Sequence, residues 1–533
     1  MLVKCLLIAC LTVVPILAQS SGAFQPGGIY VVHSATRRTA ETPATGLAPG
    51  SICEINVTGL YRQFGGSLSQ DETVTLHFRS QGAADARDLT ILARQSLGQF
   101  TALIPPDAAL GQGEVQAETS SGKIFSTTVW IAASGFGLFT KAGAGYDAAA
   151  AQVLRDSPQT VGLTTPVQAG EWLTLWGTGL GSNASNVSVD IAGIGAIPAY
   201  AGPAPGLPGV DQINFLFPAG VPGDCYIPLT VKVDGRASNT TSIAAASATG
   251  ACNHRLGLSP DALAILDKGG QVPLSQSWVH SDVIPNLSIP VTSRRYDTVS
   301  LDFMQRDAAA IQVVTGLLAA KVSGCQLNVG GGSIGGIFNF NTPPFDAGTP
   351  VVTGPGGERI SMSGDFGYYL TTPSETAYAL DALPPSTFTT GDWAVEAPGG
   401  KTVAAFRVAL RVPPPMRWTN RASISPVSRA SDLSLRWDPN GYTAREWMQG
   451  SVGVGSAAVI CQTPATAGSI TIPASLIAQL PEPMDVAPTV QLLLTPDSAS
   501  PVLYSAPLVD GGSIPGVSTF SFLEVVRVEL SHP

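Results

Sequence analysis

Charge is scarce in this chain. Asp, Glu, Lys and Arg make up only 12% of its 533 residues, about half the usual share. The net charge of −10 is spread out, with no run of five like charges. That excludes the basic stripe needed to hold a phosphate backbone, so nucleic acid is not an expected partner. Histidine is rare too: the five residues at 33, 77, 254, 280 and 532 are scattered. No two cysteines form a Cys-x-x-Cys pair and no Asp-x-Asp-x-Asp-Gly loop is present. A structural zinc site and a calcium loop are therefore not expected, and no metal or cofactor is. Beyond the N-terminus no apolar run is long enough to span a bilayer.

The first 23 residues read as an export signal. Lys4 supplies the positive start, and Cys5 to Ala18 form an apolar run too short for a membrane span. Cleavage after Ala18 or Ala23 fits the small residues there. Leu7-Ile-Ala-Cys10 has the form of a lipidation box, but the apolar run continues past Cys10 and only nine residues precede it. The expected location is extracellular or in the cell envelope, with no membrane span left after signal removal.

What is abundant points to strands. Gly (58) and Pro (42) accompany a hydrophobic content of 44%. That content argues against disorder, because disordered segments lack apolar surface to bury. Short alternating runs joined by Gly-rich turns predict an all-β protein. Ala169-Gly-Glu-Trp-Leu-Thr-Leu-Trp-Gly-Thr-Gly-Leu-Gly181 has a weaker copy 120 residues earlier, at Pro49-Gly-Ser-Ile-Cys-Glu-Ile-Asn-Val-Thr-Gly-Leu60, with Gly50 matching Gly170 and Gly59 matching Gly179. Gln99 to Pro105 matches Gln212 to Pro218, and the hairpin at Ser121-Gly122 matches the one at Asp234-Gly235. Two antiparallel sandwiches in tandem, 24–134 and 135–250, follow. In this reading Trp172 or Trp176 packs in a core while Gly177, Gly179 and Gly181 turn the chain.

These motifs, with Gly135-Phe-Gly-Leu-Phe139, Tyr200 to Gly206, Gly209-Val-Asp-Gln-Ile-Asn-Phe215 and Ser238-Asn239, resemble an immunoglobulin-like domain found near the C-terminus of many secreted acidobacterial (Solibacter-type) proteins. The resemblance covers about 45–250 and is degenerate in the first copy, where Gly98-Gln-Phe-Thr101 replaces Asp-Gln-Ile-Asn. It implies export and a sandwich fold, and carries no catalytic residues. It also implies strand for Ala148 to Leu154, which reads as helix on propensity.

Further on, Ser259-Pro-Asp-Ala with a Gly-Gly stop predicts a short helix. Arg294 to Val314 is ambiguous between strand and helix. The rest reads as further β-sandwich modules, a linker helix plus β module over 251–412 and a C-terminal sandwich over 413–533, divided at Pro413-Pro-Pro415. Five cysteines remain outside the signal. Cys225 and Cys252 flank an expected hairpin and are the expected disulfide, Cys53 is a core residue, and the odd count leaves a free thiol.

Candidate chemistry is thin. Gly331-Gly-Ser-Ile-Gly335 fits the nucleophile-elbow pattern, but its flanks lack the strand and helix that motif needs, and only His532 follows Ser333. Asp438 with Glu446, or Asp365 with Asp381, are the available carboxylate pairs for glycoside hydrolysis, and solvated turn carboxylates are the simpler reading. Gly177 to Ser182 only approximates a dinucleotide loop, since Ser182 takes the third glycine position. Aromatics concentrate late, with Trp393, Trp418, Trp437 and Trp447 beside Tyr442. Trp437 falls in phase with Leu433 and Leu435 and belongs to a core. Tyr442 and Trp447 are the candidate ligand-binding residues, because exposed rings suit sugar faces. The expected function is non-enzymatic binding or adhesion, to a polysaccharide or cell-surface protein. The alternatives are an envelope spacer and a glycan-active enzyme within 251–533.

Overall fold

A computed structural model describes residues 28–531 except 44, 58–72, 97, 144, 182–185, 286–291, 318–322, 330–344, 366–367, 372–373, 380–387, 425, 455–456, 479, 481–488 and 499–500. The stretch read as an export signal, the 331–335 motif and Asp381 therefore lie outside the described residues. The chain is all-β, built of immunoglobulin-like sandwich modules with a few short helices. It divides after Gly270 into two compact units.

The first unit begins with β1 (Ile29–His33), β2 (Ile52–Val57), β3 (Val74–Ser80), β4 (Arg87–Asp88), β5 (Thr90–Ser96), β6 (Gln99–Leu103), β7 (Gly111–Thr119) and β8 (Ile124–Ile131). They form two sheets ordered β1-β2-β6-β5 and β4-β3-β7-β8. Strand periodicity sends every second side chain inward. Val31, Cys53, Ile55 and Phe100 from one sheet meet Leu76, Phe78, Val115 and Val129 from the other. Each such buried apolar side chain contributes about 1.5–3 kcal/mol relative to exposure.

The second sandwich repeats the plan with β9 (Gly137–Leu138), β10 (Ala151–Leu154), β11 (Pro158–Thr160), β12 (Trp172–Thr178), β13 (Val187–Ile191), β14 (Ile194–Ala196), β15 (Tyr200–Pro203), β16 (Asp211–Leu216), β17 (Ile227–Val233), β18 (Arg236–Ala237) and β19 (Thr241–Ile243). One sheet runs β11-β10-β12-β16-β15 and the other β14-β13-β17-β18. The turn between β17 and β18 has positive φ at both Asp234 (50°) and Gly235 (82°), as a tight hairpin requires. Strand wins over helix propensity at β10 because Ala151 and Val153 enter the core beside Leu175 and Leu173, their register partners.

The glycine-rich exit of β12 is the seat of the joint between the two sandwiches. Gly135 N donates to Gly179 O (2.9 Å) and Phe139 N to Trp176 O (3.0 Å), laying the connecting segment along the strand end. A Cβ on Gly179 would stand 2.7 Å from Gly135 O, and one on Gly177 would collide with the Phe136 ring and Gly137 O. Only glycine permits that approach. Thr178 ties the halves together: its hydroxyl accepts from Ile52 N of β2 (2.9 Å) and donates to Gly209 O (2.6 Å).

Cys225 and Cys252 are joined in a disulfide. Helix α1 (Pro260–Asp267) follows, its N-terminus capped by Ser259. Asp267 accepts from Leu163 N, Thr164 N and the Thr164 hydroxyl at 2.7–2.9 Å, and from Lys141 Nζ at 3.2 Å. The helix is thus pinned to the second sandwich and does not begin a 251–412 module.

In the second unit, the ambiguous 294–314 stretch divides into the end of a long strand and a helix. Strand β20 (Val272–Pro285) pairs antiparallel with β21 (Thr292–Arg306), and helix α2 spans Ala308–Leu317. On its other side β20 runs parallel to Ser513–Ser521. Val299, Leu301 and Phe303 share one core with Trp393, Val408, Ile514 and Phe520. Pro413 to Pro415 is therefore not a domain boundary, because strands from both sides hydrogen-bond in one sheet. A second disulfide joins Cys325 and Cys461, 136 positions apart. It was not expected from the spacing.

Candidate functional site

The alternation that buries Leu173 and Leu175 turns Trp172, Thr174 and Trp176 to the opposite, outer face of β12. The expectation that Trp172 or Trp176 packs in the core is corrected by register: two residues of one phase cannot share the face of the other. Strand pairing continues this outer face across the sheet. Leu154, Trp172 and Leu216 stand in one row, exposed by 58%, 48% and 50%. The next row is Gln152, Thr174, Asn214 and Tyr200, with Tyr200 42% exposed. Trp176, Gln212 and Gly202 make the third.

No charged residue occupies these rows. Gln212 Nε2 donates to Asn214 Oδ1 (2.9 Å), and the Tyr200 hydroxyl donates to Pro203 O (2.7 Å), which orients the amides and the ring. At the margin Arg155 and Glu171 neutralise each other through two hydrogen bonds of 2.6 and 3.1 Å. Trp172 and Trp176 lie four positions apart on one strand, roughly 13 Å. A flat face of this kind offers apolar rings, amides and a hydroxyl with no net charge.

The first copy does not keep the face open. With Gly50 matched to Gly170, Ile52 and Leu103 stand where Trp172 and Leu216 stand in the second. Ile52 is buried, and the chain at Gly209 lies so close that a Cβ there would be 2.6 Å from Ile52 Cγ1. The second sandwich covers that row in the first, while its own row is exposed.

Elsewhere the aromatics are spent in cores. Tyr442 is only 7% exposed and its hydroxyl donates to Pro414 O (3.3 Å). At that burial its ring has little face left for a sugar. Trp447 is half-buried at the start of that strand. Trp437 donates to Ala465 O (2.6 Å), Trp393 to Thr389 O (2.8 Å) and Trp418 to Asn420 Oδ1 (3.1 Å), all three buried. Glu446 is buried and accepts from Thr443 N and Oγ1 (2.8 and 2.7 Å), whereas Asp438 accepts from Asn440 N (3.0 Å). These carboxylates hold turns. A surface pocket of about 220 Å³ lined by Asn420, Ser423, Ser428 and Asp432 is elsewhere in the second unit. Its Asn420 amide is engaged, giving to Ser434 O and taking from Arg436 N, both at 2.8 Å.

Comparisons with known proteins assign no family. No family model matches the chain, and no curated protein does, so the likeness to the acidobacterial domain rests on its motifs. Among solved structures, the SGBP-B protein of the Bacteroides ovatus mixed-linkage glucan utilization locus, in complex with a mixed-linkage heptasaccharide, matches at 11% identity and TM-score 0.19. The match covers 63% of this chain and 65% of that one, so this chain spans less than two thirds of its length. The S-layer protein rSbsC(31-844) matches at 10% identity and TM-score 0.19 over 89% of this chain and 53% of that one. The N-terminal eight immunoglobulin domains of Down Syndrome Cell Adhesion Molecule match at 10% and 0.12, over 91% and 58%. Likenesses at this level transfer neither ligand nor partner.

Among the described residues no group of three His, Cys, Asp or Glu side chains could hold a metal ion. The buried set formed by Arg306, Gln276 (2.9 Å) and Asp302 (3.3 Å) is closed from solvent. Burial pushes the Asp302 carboxyl up to about 6 against the pull of Arg306. The free thiol Cys53 is buried and pushed up to about 12, so it is not a nucleophile.

Proposed function

We propose that this is an exported, non-catalytic protein that binds a neutral polysaccharide on the outer face of the β11-β10-β12-β16-β15 sheet. One observation carries the reading: Trp172, Trp176 and Tyr200 share that exposed face with Gln152, Thr174, Gln212 and Asn214, and no charge interrupts it. Aromatic faces match the C–H faces of sugar rings, and amides and hydroxyls bond to sugar hydroxyls. Two tryptophans spaced along a strand suit an extended chain of several sugars better than a monosaccharide. The N-terminal signal-like segment supports export. So do the two disulfides, which belong to an oxidising compartment. No helix among the described residues is long and apolar enough to cross a membrane.

A second reading is favoured by the first copy, whose corresponding row is covered by protein. On that reading Trp172 and Leu216 dock a protein surface. Affinity electrophoresis of the full chain through gels holding neutral or acidic soluble polysaccharides separates the two. Retardation by a neutral polymer, weakened in Trp172→Ala, supports the first. A Trp172-dependent association with protein and no retardation by any polymer supports the second.

A further inference from the structure

The joint between the two sandwiches contains a group that the binding face does not use. His33 ends β1 and is fully buried against the connecting segment. Its Nδ1 accepts from Ala35 N (3.2 Å) and Thr36 N (3.3 Å), and its Nε2 lies 2.8 Å from Gly135 O. Since Nδ1 is an acceptor, the single proton sits on Nε2 and is donated to Gly135. The second sandwich encloses the ring: a Cβ on Gly137 would be 2.7 Å from Cε1, and one on Gly179 would be 3.3 Å from Nε2.

A second proton on this ring has nowhere to go. It would turn Nδ1 into a donor facing two N–H groups, with Ala35 and Thr36 left unsatisfied. The charges around it are unfavourable as well. Arg38, in the loop after β1, and Arg236, on β18 of the second sandwich, are both close enough to oppose protonation. Arg236 holds its own place by donating to Ser134 O (2.7 Å). Arg37 is neutralised by Glu54 on β2. From the 140–147 loop, Asp147 is occupied with Ala142 N (2.6 Å). From β16, Asp211 accepts from Leu180 N (2.8 Å), its carboxyl held above the ordinary range by burial. Cys53, opposite His33 in the β1–β2 register, stays a neutral thiol.

We propose that His33 is an acid-released latch: neutral, it locks the two sandwiches into one rigid body, and protonated, it lets the joint open. Burial, with Arg38 and Arg236 adding to it, lowers the ring from 6.5 to about 4. An open joint frees the ring to titrate normally, so between those values the open state holds more protons than the closed one. Closure is at full strength above pH 6.5 and weakens as pH falls towards 4. At pH 5 the opening equilibrium rises by about thirtyfold over its value at pH 8. Asp211 works the other way, since its raised carboxyl gains a proton in the closed state first.

Hydrogen–deuterium exchange of the full chain tests the latch, with rates corrected for the intrinsic pH dependence. Peptides over 33–37 and 133–138 lose protection between pH 7.5 and pH 5, while core peptides over 173–175 and 213–215 do not. His33→Gln, which keeps a donor for Gly135 and an acceptor for Ala35, removes the pH response and keeps the protection at pH 7.5. Unchanged protection at the joint in the wild-type chain overturns the proposal, and this reading does not depend on the variant folding. So does a full acid response in His33→Gln, or loss of core and joint protection together.

Discussion

Gly135→Ala isolates the steric contribution of the joint. Gly135 does not have a positive φ, so alanine suffers no backbone strain of its own there. Its Cβ, however, would meet the Gly46 carbonyl oxygen at less than 3.0 Å, a separation Cβ atoms essentially never show. The obstacle is backbone, which cannot rotate aside as a flexible side chain can. Either the connecting segment or the 46–48 turn must shift, straining the bonds from Gly135 N to Gly179 O and from Leu47 N to Trp130 O (both 2.9 Å). Overpacking of this kind costs roughly 1–3 kcal/mol. For a unit of about 250 residues that lowers the unfolding midpoint by roughly 2–12 °C. Gly195→Ala is the control, since nothing lies within 4 Å of a Cβ there and its φ is not positive. Differential scanning calorimetry at pH 7.5 is expected to show the first transition lowered in Gly135→Ala and unmoved in Gly195→Ala. Equal midpoints for the two variants refute the idea that glycine is required for close approach at the joint.

Three further outcomes concern Thr178, the disulfides and Cys53. Thr178→Val leaves Ile52 N–H buried without its acceptor and is expected to cost about 1–3 kcal/mol, against less than about 0.5 kcal/mol for Thr174→Val on the outer face, read as denaturation midpoints. Reducing the disulfides removes constraints worth roughly 3–4 kcal/mol for Cys225–Cys252 and about 5 kcal/mol for Cys325–Cys461 in the chain-entropy picture. In a thiol titration Cys53 is expected to stay silent in the native protein and to react once it is denatured.

Much of the first unit is legible in the sequence because its pairings are local. The Gly50 and Gly170 repeats, the Ser121-Gly122 and Asp234-Gly235 turns and the Gln99 and Gln212 strands all become the elements their patterns predict. The outer face of β12 is misread, although its phase is fixed within Ala169 to Gly181. Once Leu173 and Leu175 face inward, Trp172 and Trp176 must face outward. Tryptophan's hydrophobicity argues for the core, but strand phase decides. The role of Gly177, Gly179 and Gly181 is not legible, since what they make room for is the backbone of residues 133–137, folded back from the adjoining domain. The second unit is harder for a different reason. β20 finds its parallel partner some 240 positions later, at Ser513–Ser521, and no local pattern signals such a pairing. Composition therefore suggests a break at Pro413 to Pro415 where the sheet has none. Tyr442 sits beside an exposed turn in sequence, yet it is buried, with its hydroxyl on Pro414 O, 28 positions earlier.

Polysaccharide binding by the proposed face of Trp172 and Trp176 is measured most directly by isothermal titration. The full chain and its Trp172→Ala/Trp176→Ala variant are each titrated with oligosaccharides cut from whichever neutral polymer retards the protein. Both side chains are outside the core, so the variant is expected to unfold within a few degrees of the wild type. Measurable heat and saturable binding are expected for the wild-type chain, and loss of both in the variant. Undiminished affinity in a folded double variant would contradict it.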